Sequence, residues 1–288
     1  MSTTILDGKL IAAKVNKEAS DGVRELVARF GECARPRIGL VLVGDDPVSK
    51  KLVGMKKRDH EAAGMNADIV EISADTSEEE LIKRVAELDA DPSYTALLVQ
   101  LPLPSGFDKK RVLAAISKQK DADGLSCEIG CDIDDIPACT PAGIIRLLEE
   151  YGVEISGSEA VVIGRSALVG RPMAIQLMLR GATVTVCHTK TRDLKKHTKR
   201  ADILICAAGS PHLVTADMIK KGAAVVDVGA TYTDEGLVGD VDFEDVVGKA
   251  GFLTPNPGGV GPMTRAMLVM NTFEIAKRKL LRPCGAER

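Results

Sequence analysis

Residues 161–172 read VVIGRSALVGRP. An apolar run feeds a glycine, a short polar turn follows, and a second glycine opens a helical pattern. Glycine at 164 lets the backbone turn, and Gly170 lets the chain approach closely. The start of the following helix offers N–H groups and the positive end of its dipole to an anion. The spacing is not the usual G-x-G-x-x-G, and the same residues also make an ordinary strand-to-helix connection. Local chemistry leaves both readings open. Arg165 lies inside the turn, where a guanidinium can grip a phosphate through two parallel bonds.

The sequence on either side repeats the pattern. Residues 160–164 read as a strand, 171–181 as a helix, and 183–188, 202–207 and 223–229 as further buried strands. Residues 251–254 add a short fifth strand, and a helix over 264–278 closes the region. This is the alternation of a doubly wound, mostly parallel sheet, which binds ligands at the C-terminal ends of its strands. The second strand ends in Cys187-His188-Thr189-Lys190-Thr191. That end is where a dinucleotide's ribose 2′ position is read. An acid there selects NAD, whereas hydroxyls and a lysine favour NADP. An ordinary solvated loop explains Thr189 and Lys190 equally well.

The first half carries a second α/β pattern. Residues 37–44 (RIGLVLVG), 66–72 and 95–100 (TALLVQ) read as strands, with helices over 47–64 and 77–88. The second of these opens with S-E-E-E, a helix N-terminus signal. The prolines of 101–104 stop the third strand. Periodicity fades over 121–141, which reads as a linker. Thr140 as N-cap and Pro141 in the first turn then start a helix that ends at Gly152. The opening residues read as a short strand and a polar helix.

The 288 residues suggest two domains. A net charge of −3 offers no basic field for nucleic acid or an anionic membrane, and 3% aromatics argues against base stacking. No apolar stretch approaches the roughly 20 residues of a membrane span. The N-terminus lacks signal-peptide features, so the cytoplasm is the expected compartment. Seven scattered cysteines include no CxxC. Cys127 and Cys131 are four apart with no histidine or second cysteine pair nearby, so no metal is expected. Cys187 and Cys206 fall in apolar runs and read as small hydrophobes.

Seven stretches carry a resemblance: VGDDPVSKKLVGMKKR (43–58), VQLPLP (99–104), KDADG (120–124), CTPAG (139–143), GRSALVGRP (164–172), VGDVDF (238–243) and TPNPGGVGPMT (254–264). Together they resemble the bifunctional methylenetetrahydrofolate dehydrogenase/methenyltetrahydrofolate cyclohydrolase family over nearly the whole chain. The resemblance implies an α/β fold: an N-terminal α/β catalytic domain (1–140, rejoined by a C-terminal helix over 265–288), a Rossmann-type NADP-binding domain (141–264), and a cleft between them. It implies tetrahydrofolate substrates, NADP rather than NAD, no metal, and a homodimer. The implied reaction oxidises 5,10-methylenetetrahydrofolate to the methenyl cation and hydrolyses that to 10-formyltetrahydrofolate.

By the same resemblance Lys56, Gln100 and Asp123 are the catalytic candidates. Lys56 manages the proton of the hydrolysis, Gln100 holds the lysine, and Asp123 contacts the pterin. Ser49, Leu52, Pro257, Gly258 and Gly259 are expected against the substrate. Gly164, Arg165, Ser166, Gly170, Thr189 and Ala230 are expected against the cofactor. Ser49, Leu52 and Lys56 share a helix face at i, i+3, i+7. Taken singly, Lys56 reads as a solvated charge, Asp123 as a turn former and Gln100 as a strand cap.

The chain departs from the family at three places. Leu52 stands where the family carries a tyrosine, removing a hydroxyl and a π-face beside the lysine. Ala230 and Thr231 replace Ile and Asn in D-V-G-I-N, and Asn256 replaces Val in T-P-V-P. Three readings follow: a bifunctional enzyme with hydrolysis weakened by Leu52, a dehydrogenase without cyclohydrolase activity, and a non-catalytic folate- or NADP-binding protein.

Overall fold

The computed structural model describes residues 2–125, 135–233 and 236–281. Cys127, Cys131 and part of the expected linker and C-terminal helix lie outside them. The described chain divides into two compact units, one of residues 14–125, 135–137 and 268–281, the other of 2–13 and 138–267.

The first unit holds most of α1 (Gly8–Phe30), then β2 (Arg37–Val43), α2 (Pro47–Ala62), β3 (Asn66–Ile72), α3 (Glu78–Ala90), β4 (Ala96–Val99), α4 (Lys109–Leu113) and the second part of α9 (Val260–Leu281). Its sheet runs β3-β2-β4, all parallel, with Val41 opposite Val70 and Val99. The central strand is buried from Ile38 to Val43, as its unbroken apolar run requires. Asp46 caps α2 by accepting the Ser49 N–H at 2.7 Å, with Pro47 at N1. Ser77 caps α3 through the Glu80 N–H, as its S-E-E-E start predicts. One core lies around Val41, Leu81, Val85, Leu97 and Val112. Another gathers Val23 and Leu26 of α1 with Val269 and Phe273 of α9. There a Cβ on Gly22 would stand 2.3 Å from the Phe273 ring, so glycine is needed for the two helices to meet.

The second unit holds β1 (Thr4–Ile5), α5 (Cys139–Glu150), β5 (Glu159–Ile163), α6 (Gly170–Leu179), β6 (Thr183–Cys187), α7 (Leu194–Thr198), β7 (Ile203–Cys206), β8 (Ala224–Asp227), β9 (Thr231–Thr233), β10 (Gly236–Val238), α8 (Phe243–Val246) and β11 (Phe252–Leu253). Six strands form one sheet, β1-β11-β8-β7-β5-β6, with every neighbour parallel. β5, β7 and β8 are buried almost throughout, and Cys187 and Cys206 are packed as small apolar side chains. The β9–β10 hairpin is antiparallel. The strand order reverses between β5 and β7, so their C-terminal ends flank the crevice where such sheets bind ligands.

Two local expectations need correction. The helix expected to start with Thr140 as N-cap begins at Cys139, after Ala138, with no side-chain cap. The Thr140 hydroxyl instead lies 3.0 Å from that of Thr264. The closing helix expected from 264 already begins at Val260, and Pro262 fits because its first-turn nitrogen needs no partner. β1 is the sheet's edge strand beside β11, although it opens the chain. Among the described residues no helix is long and apolar enough to cross a membrane.

Candidate active site

The turn after β5 is built by two glycines and a serine. Gly164 has φ +113°, and a Cβ there would stand 2.1 Å from the Ala207 carbonyl at the end of β7. A Cβ on Gly170 would lie 2.3 Å from the Gly164 carbonyl. Both positions therefore demand glycine, and together they fold the turn onto the crevice. The helix start is not open as expected. The Ser166 hydroxyl accepts from the N–H groups of Val169 and Gly170 at 3.2 and 3.3 Å. The Ser166 carbonyl accepts from Arg171 N at 3.0 Å, and Pro172 has no N–H. The N–H groups of residues 165–168 make no hydrogen bond among the described residues, and neither does the exposed Arg165 guanidinium. The donors for an anion thus come from the turn rather than from the first turn of α6.

The neighbouring strand end faces the same edge. Ile163 pairs with Cys187, and Gly164 N donates to the Cys187 carbonyl at 2.9 Å, so Arg165 and Thr189 follow adjacent strand ends. Residues 188–191 close into a turn. His188 N donates to Thr191 Oγ1 at 2.8 Å, and Lys190 N donates to His188 Nδ1 at 3.1 Å. Thr189 and Lys190 are exposed.

The loops beyond β7, β8 and β11 are tied by two buried carboxylates. Asp240 accepts from the N–H groups of Ala208, Gly209 and Ser210 at 2.6–3.1 Å. Asp227 accepts from those of Gly229, Asp240 and Val241. Burial pushes the Asp227 carboxyl up, and the backbone N–H groups oppose that shift. Asn256 donates to the Gly229 carbonyl at 2.6 Å, and Thr254 Oγ1 accepts from Asp227 N at 2.8 Å. Asn256 therefore fastens the 254–259 segment to the 227–230 loop, which ends in exposed Ala230. Pro257 follows a cis bond, Gly258 has φ +117°, and Gly259 N donates to Pro255 O at 2.9 Å.

In the other unit Lys56 and Gln100 meet. Lys56, on α2, donates from Nζ to Gln100 Oε1 at 3.0 Å. Gln100 follows β4, is 5% exposed, and donates from Nε2 to the Leu101 carbonyl. That second bond fixes the amide so that only its oxygen faces the lysine. Ser49 is buried and Leu52 half-buried on the same helix. Residues 121–124 run beside β4: Leu97 and Asp121 form a parallel bridge, and Asp121 accepts from the N–H groups of Asp123 and Gly124. The turn carrying Asp123 therefore lies toward the strand end that bears Gln100. Lys120 has a structural part, donating to the Asp89 and Asp91 carbonyls at the end of α3.

Lys56, Gln100, Asp123, Ser49 and Leu52 thus fall in one unit, and Gly164, Arg165, Ser166, Gly170, Thr189, Ala230, Pro257, Gly258 and Gly259 in the other. Sequence reasoning passed over Asp227, Asp240, His60, Asn271 and Thr272. His60 is fully buried on α2. Its signal was its spacing, seven residues after Val53, which puts it on the buried stripe of the helix. The signal for Asp227 was a carboxylate ending an otherwise apolar strand.

Comparison with known proteins agrees along the chain. Residues 6–123 match the tetrahydrofolate dehydrogenase/cyclohydrolase catalytic domain, and residues 138–280 match that family's NAD(P)-binding domain. The bifunctional protein FolD of Moorella thermoacetica is 48% identical over 283 residues, covering 96% of this chain and 100% of the relative. The crystal structure of the bifunctional FolD methylenetetrahydrofolate dehydrogenase/cyclohydrolase of Campylobacter jejuni superposes with a TM-score of 0.91 at 40% identity, covering 96% of this chain and 100% of that one. The Trypanosoma brucei enzyme, solved with NADP cofactor and inhibitor, gives 0.90 at 35% identity, covering 98% of this chain and 100% of that one. With both halves matched in order and the dinucleotide turn and lysine pair in place, the chain belongs to the tetrahydrofolate dehydrogenase/cyclohydrolase family.

Proposed function

We propose that this protein oxidises 5,10-methylenetetrahydrofolate with NADP and hydrolyses the methenyl product to 10-formyltetrahydrofolate. The observation that carries the reading is the Lys56–Gln100 bond: an amide oxygen, held from behind, aims one ammonium group at a parallel strand end. The residues of the second unit fit a dinucleotide, since unbonded turn N–H groups and a free guanidinium surround a cradle that any Cβ would fill. Residues 165–168 would hold the pyrophosphate, Arg165 and Thr189 the 2′-phosphate, and Ala230 would border the nicotinamide side. Ser166 shapes the turn while Gly164 and Gly170 keep it open. When bound, NADP supplies the hydride acceptor.

The protein's own part in oxidation is orientation. Asp123 holds the pterin, and Ser49 and Leu52 bound the folate on the lysine side. Pro257, Gly258 and Gly259 are assigned to substrate on the family resemblance alone. In hydrolysis, water adds to the methenyl carbon and one water proton is released; the other passes from the new hydroxyl to the ring nitrogen as its C–N bond breaks and the formyl C=O forms. Lys56 Nζ handles the released proton, with Gln100 fixing its position. The proposed domains are 1–140 with 265–288 for folate and 141–264 for NADP, and residues 2–13 pack with the second of these through β1. The exposed edge strand β6 and Met178, Leu179 and Val186 support assembly as a homodimer. The thiols of Cys33, Cys187 and Cys206, none in a disulfide, agree with a reducing cytoplasm.

The test follows methenyl absorbance in purified protein given methylenetetrahydrofolate with NADP and NAD in parallel. Reduction of neither cofactor overturns the reading. A dehydrogenase that lacks the hydrolytic step is the second reading, favoured by Leu52. On it, Leu52→Tyr raises methenyl hydrolysis about tenfold by restoring the phenol beside Lys56. Fast hydrolysis in the unaltered protein, unchanged by the substitution, excludes it.

A further inference from the structure

His60, Asn271 and Thr272 are buried polar residues outside the proposed chemistry, and they form one arrangement. His60 lies one helical turn beyond Lys56 on α2. Its Nδ1 is 2.7 Å from the Lys56 carbonyl, and its Nε2 is 3.1 Å from Thr272 Oγ1 on α9. A carbonyl only accepts, so in the neutral ring Nδ1 carries the proton and Nε2 accepts from the threonine hydroxyl. That hydroxyl also lies 2.9 Å from the Leu268 carbonyl, so its proton serves two acceptors. Burial keeps the ring neutral down to about 4, and the bonding direction therefore holds over the working range of an enzyme.

Asn271, the preceding residue, points its amide at another segment. Nδ2 donates to the carbonyls of Ala122 and Pro137, each at 2.9 Å. Ala122 immediately precedes Asp123. A primary amide has two N–H groups, and here one takes the carbonyl next to Asp123 and the other that of Pro137. Phe273, the next residue, packs against Gly22, so α9 is anchored in this unit by close contact with α1.

We propose that α9 is the positioning element of the folate site: Thr272, through His60, fixes the helix that carries Lys56, while Asn271 fixes the turn that carries Asp123. Two consecutive residues thereby set the lysine and the aspartate on one rigid reference. Proton transfer falls steeply with small misplacements, so the lysine arm governs turnover of the hydrolysis, and the aspartate arm governs hold on the pterin. The inference rests on the roles given above to Lys56 and Asp123.

The experiment measures methenyl hydrolysis, methylene oxidation, NADP KM and thermal midpoint in full-length variants. Thr272→Val keeps shape and removes the hydroxyl. It is expected to lower hydrolytic kcat about tenfold with NADP KM unchanged, and Thr272→Ser to return within about twofold of the parent. Asn271→Ala is expected to raise the folate KM about tenfold with a smaller change in kcat. Should it not fold, the threonine pair carries the test. Lys56→Gln serves as reference. If it abolishes hydrolysis while Thr272→Val leaves kcat within twofold, the positioning role is wrong and the lysine's role stands. If Lys56→Gln itself leaves hydrolysis intact, the reading of the lysine falls and the inference with it. Equal losses for Thr272→Val and Thr272→Ser, matching lost thermal stability, also overturn it.

Discussion

Arg165 has its guanidinium in solvent, while the Arg171 side chain beside it is drawn back to the Arg165 carbonyl at 3.2 Å. Arg165 has no such tie and its whole guanidinium can meet a ligand phosphate. Arg165→Ala should therefore raise KM for NADP by about 10- to 100-fold and leave that for NAD within about threefold, a charge-assisted bond being lost from one ligand only. Equal losses for both would show that Arg165 does not read the 2′-phosphate. His60 makes a different prediction. Burial brings its imidazole from 6.5 to about 4 in the folded protein, whereas the unfolded chain protonates near 6.5. Between those values the unfolded state binds more protons, so acid favours unfolding. The stabilisation is complete above about pH 7 and declines as pH falls toward 4, with about 2 kcal/mol lost by pH 5. Urea unfolding at pH 8 and pH 5 should show that loss in the parent and a flatter response in His60→Gln. Parallel pH slopes would disprove it.

At the scale of elements, the turn between β5 and α6 depends on Gly170 having no side chain. Gly170→Ala would drive a methyl into the Gly164 carbonyl, so the turn must open. NADP affinity should fall at least about 100-fold, while methenyl hydrolysis, which needs no cofactor, stays within about threefold. A titration of cofactor fluorescence beside the hydrolytic assay separates the two. The strand, turn and helix here were legible because period and glycine placement are local properties. How the N–H groups are used was not: Ser166 takes those that a bare helix start would leave open, and a hydroxyl's aim depends on the folded turn. Asn256 is similar. The sequence marked it as a departure, but its partner, the Gly229 carbonyl, lies 27 residues away in the chain. The start of α5 was misread because Thr140 has the chemistry of a cap but faces Thr264 instead. The lysine–glutamine pair came from the family pattern, since nothing local distinguishes Lys56 from its neighbours.

At the scale of the whole molecule, each unit depends on chain from far away in sequence. β1 completes the edge of the nucleotide sheet through β11, with Thr3 Oγ1 also donating to the Ala250 carbonyl at 2.8 Å. A fragment of residues 138–267 lacks β1 and bares the β11 edge. It should be less stable or more prone to associate than the same fragment joined to residues 2–13. Denaturation midpoint and light scattering would show this, and indistinguishable fragments would refute it. The place of Asn271 and Thr272 near the end of the described chain has a consequence for biosynthesis. A ribosome finishes Lys56, Gln100 and Asp123 long before it makes the helix that braces them. On the positioning proposed above, the nascent protein carries Lys56, Gln100 and Asp123 before their geometry is set, and competence waits until residues 271 and 272 have been made and packed. Premature termination before residue 271 would release a chain able to display the catalytic side chains and unable to align them.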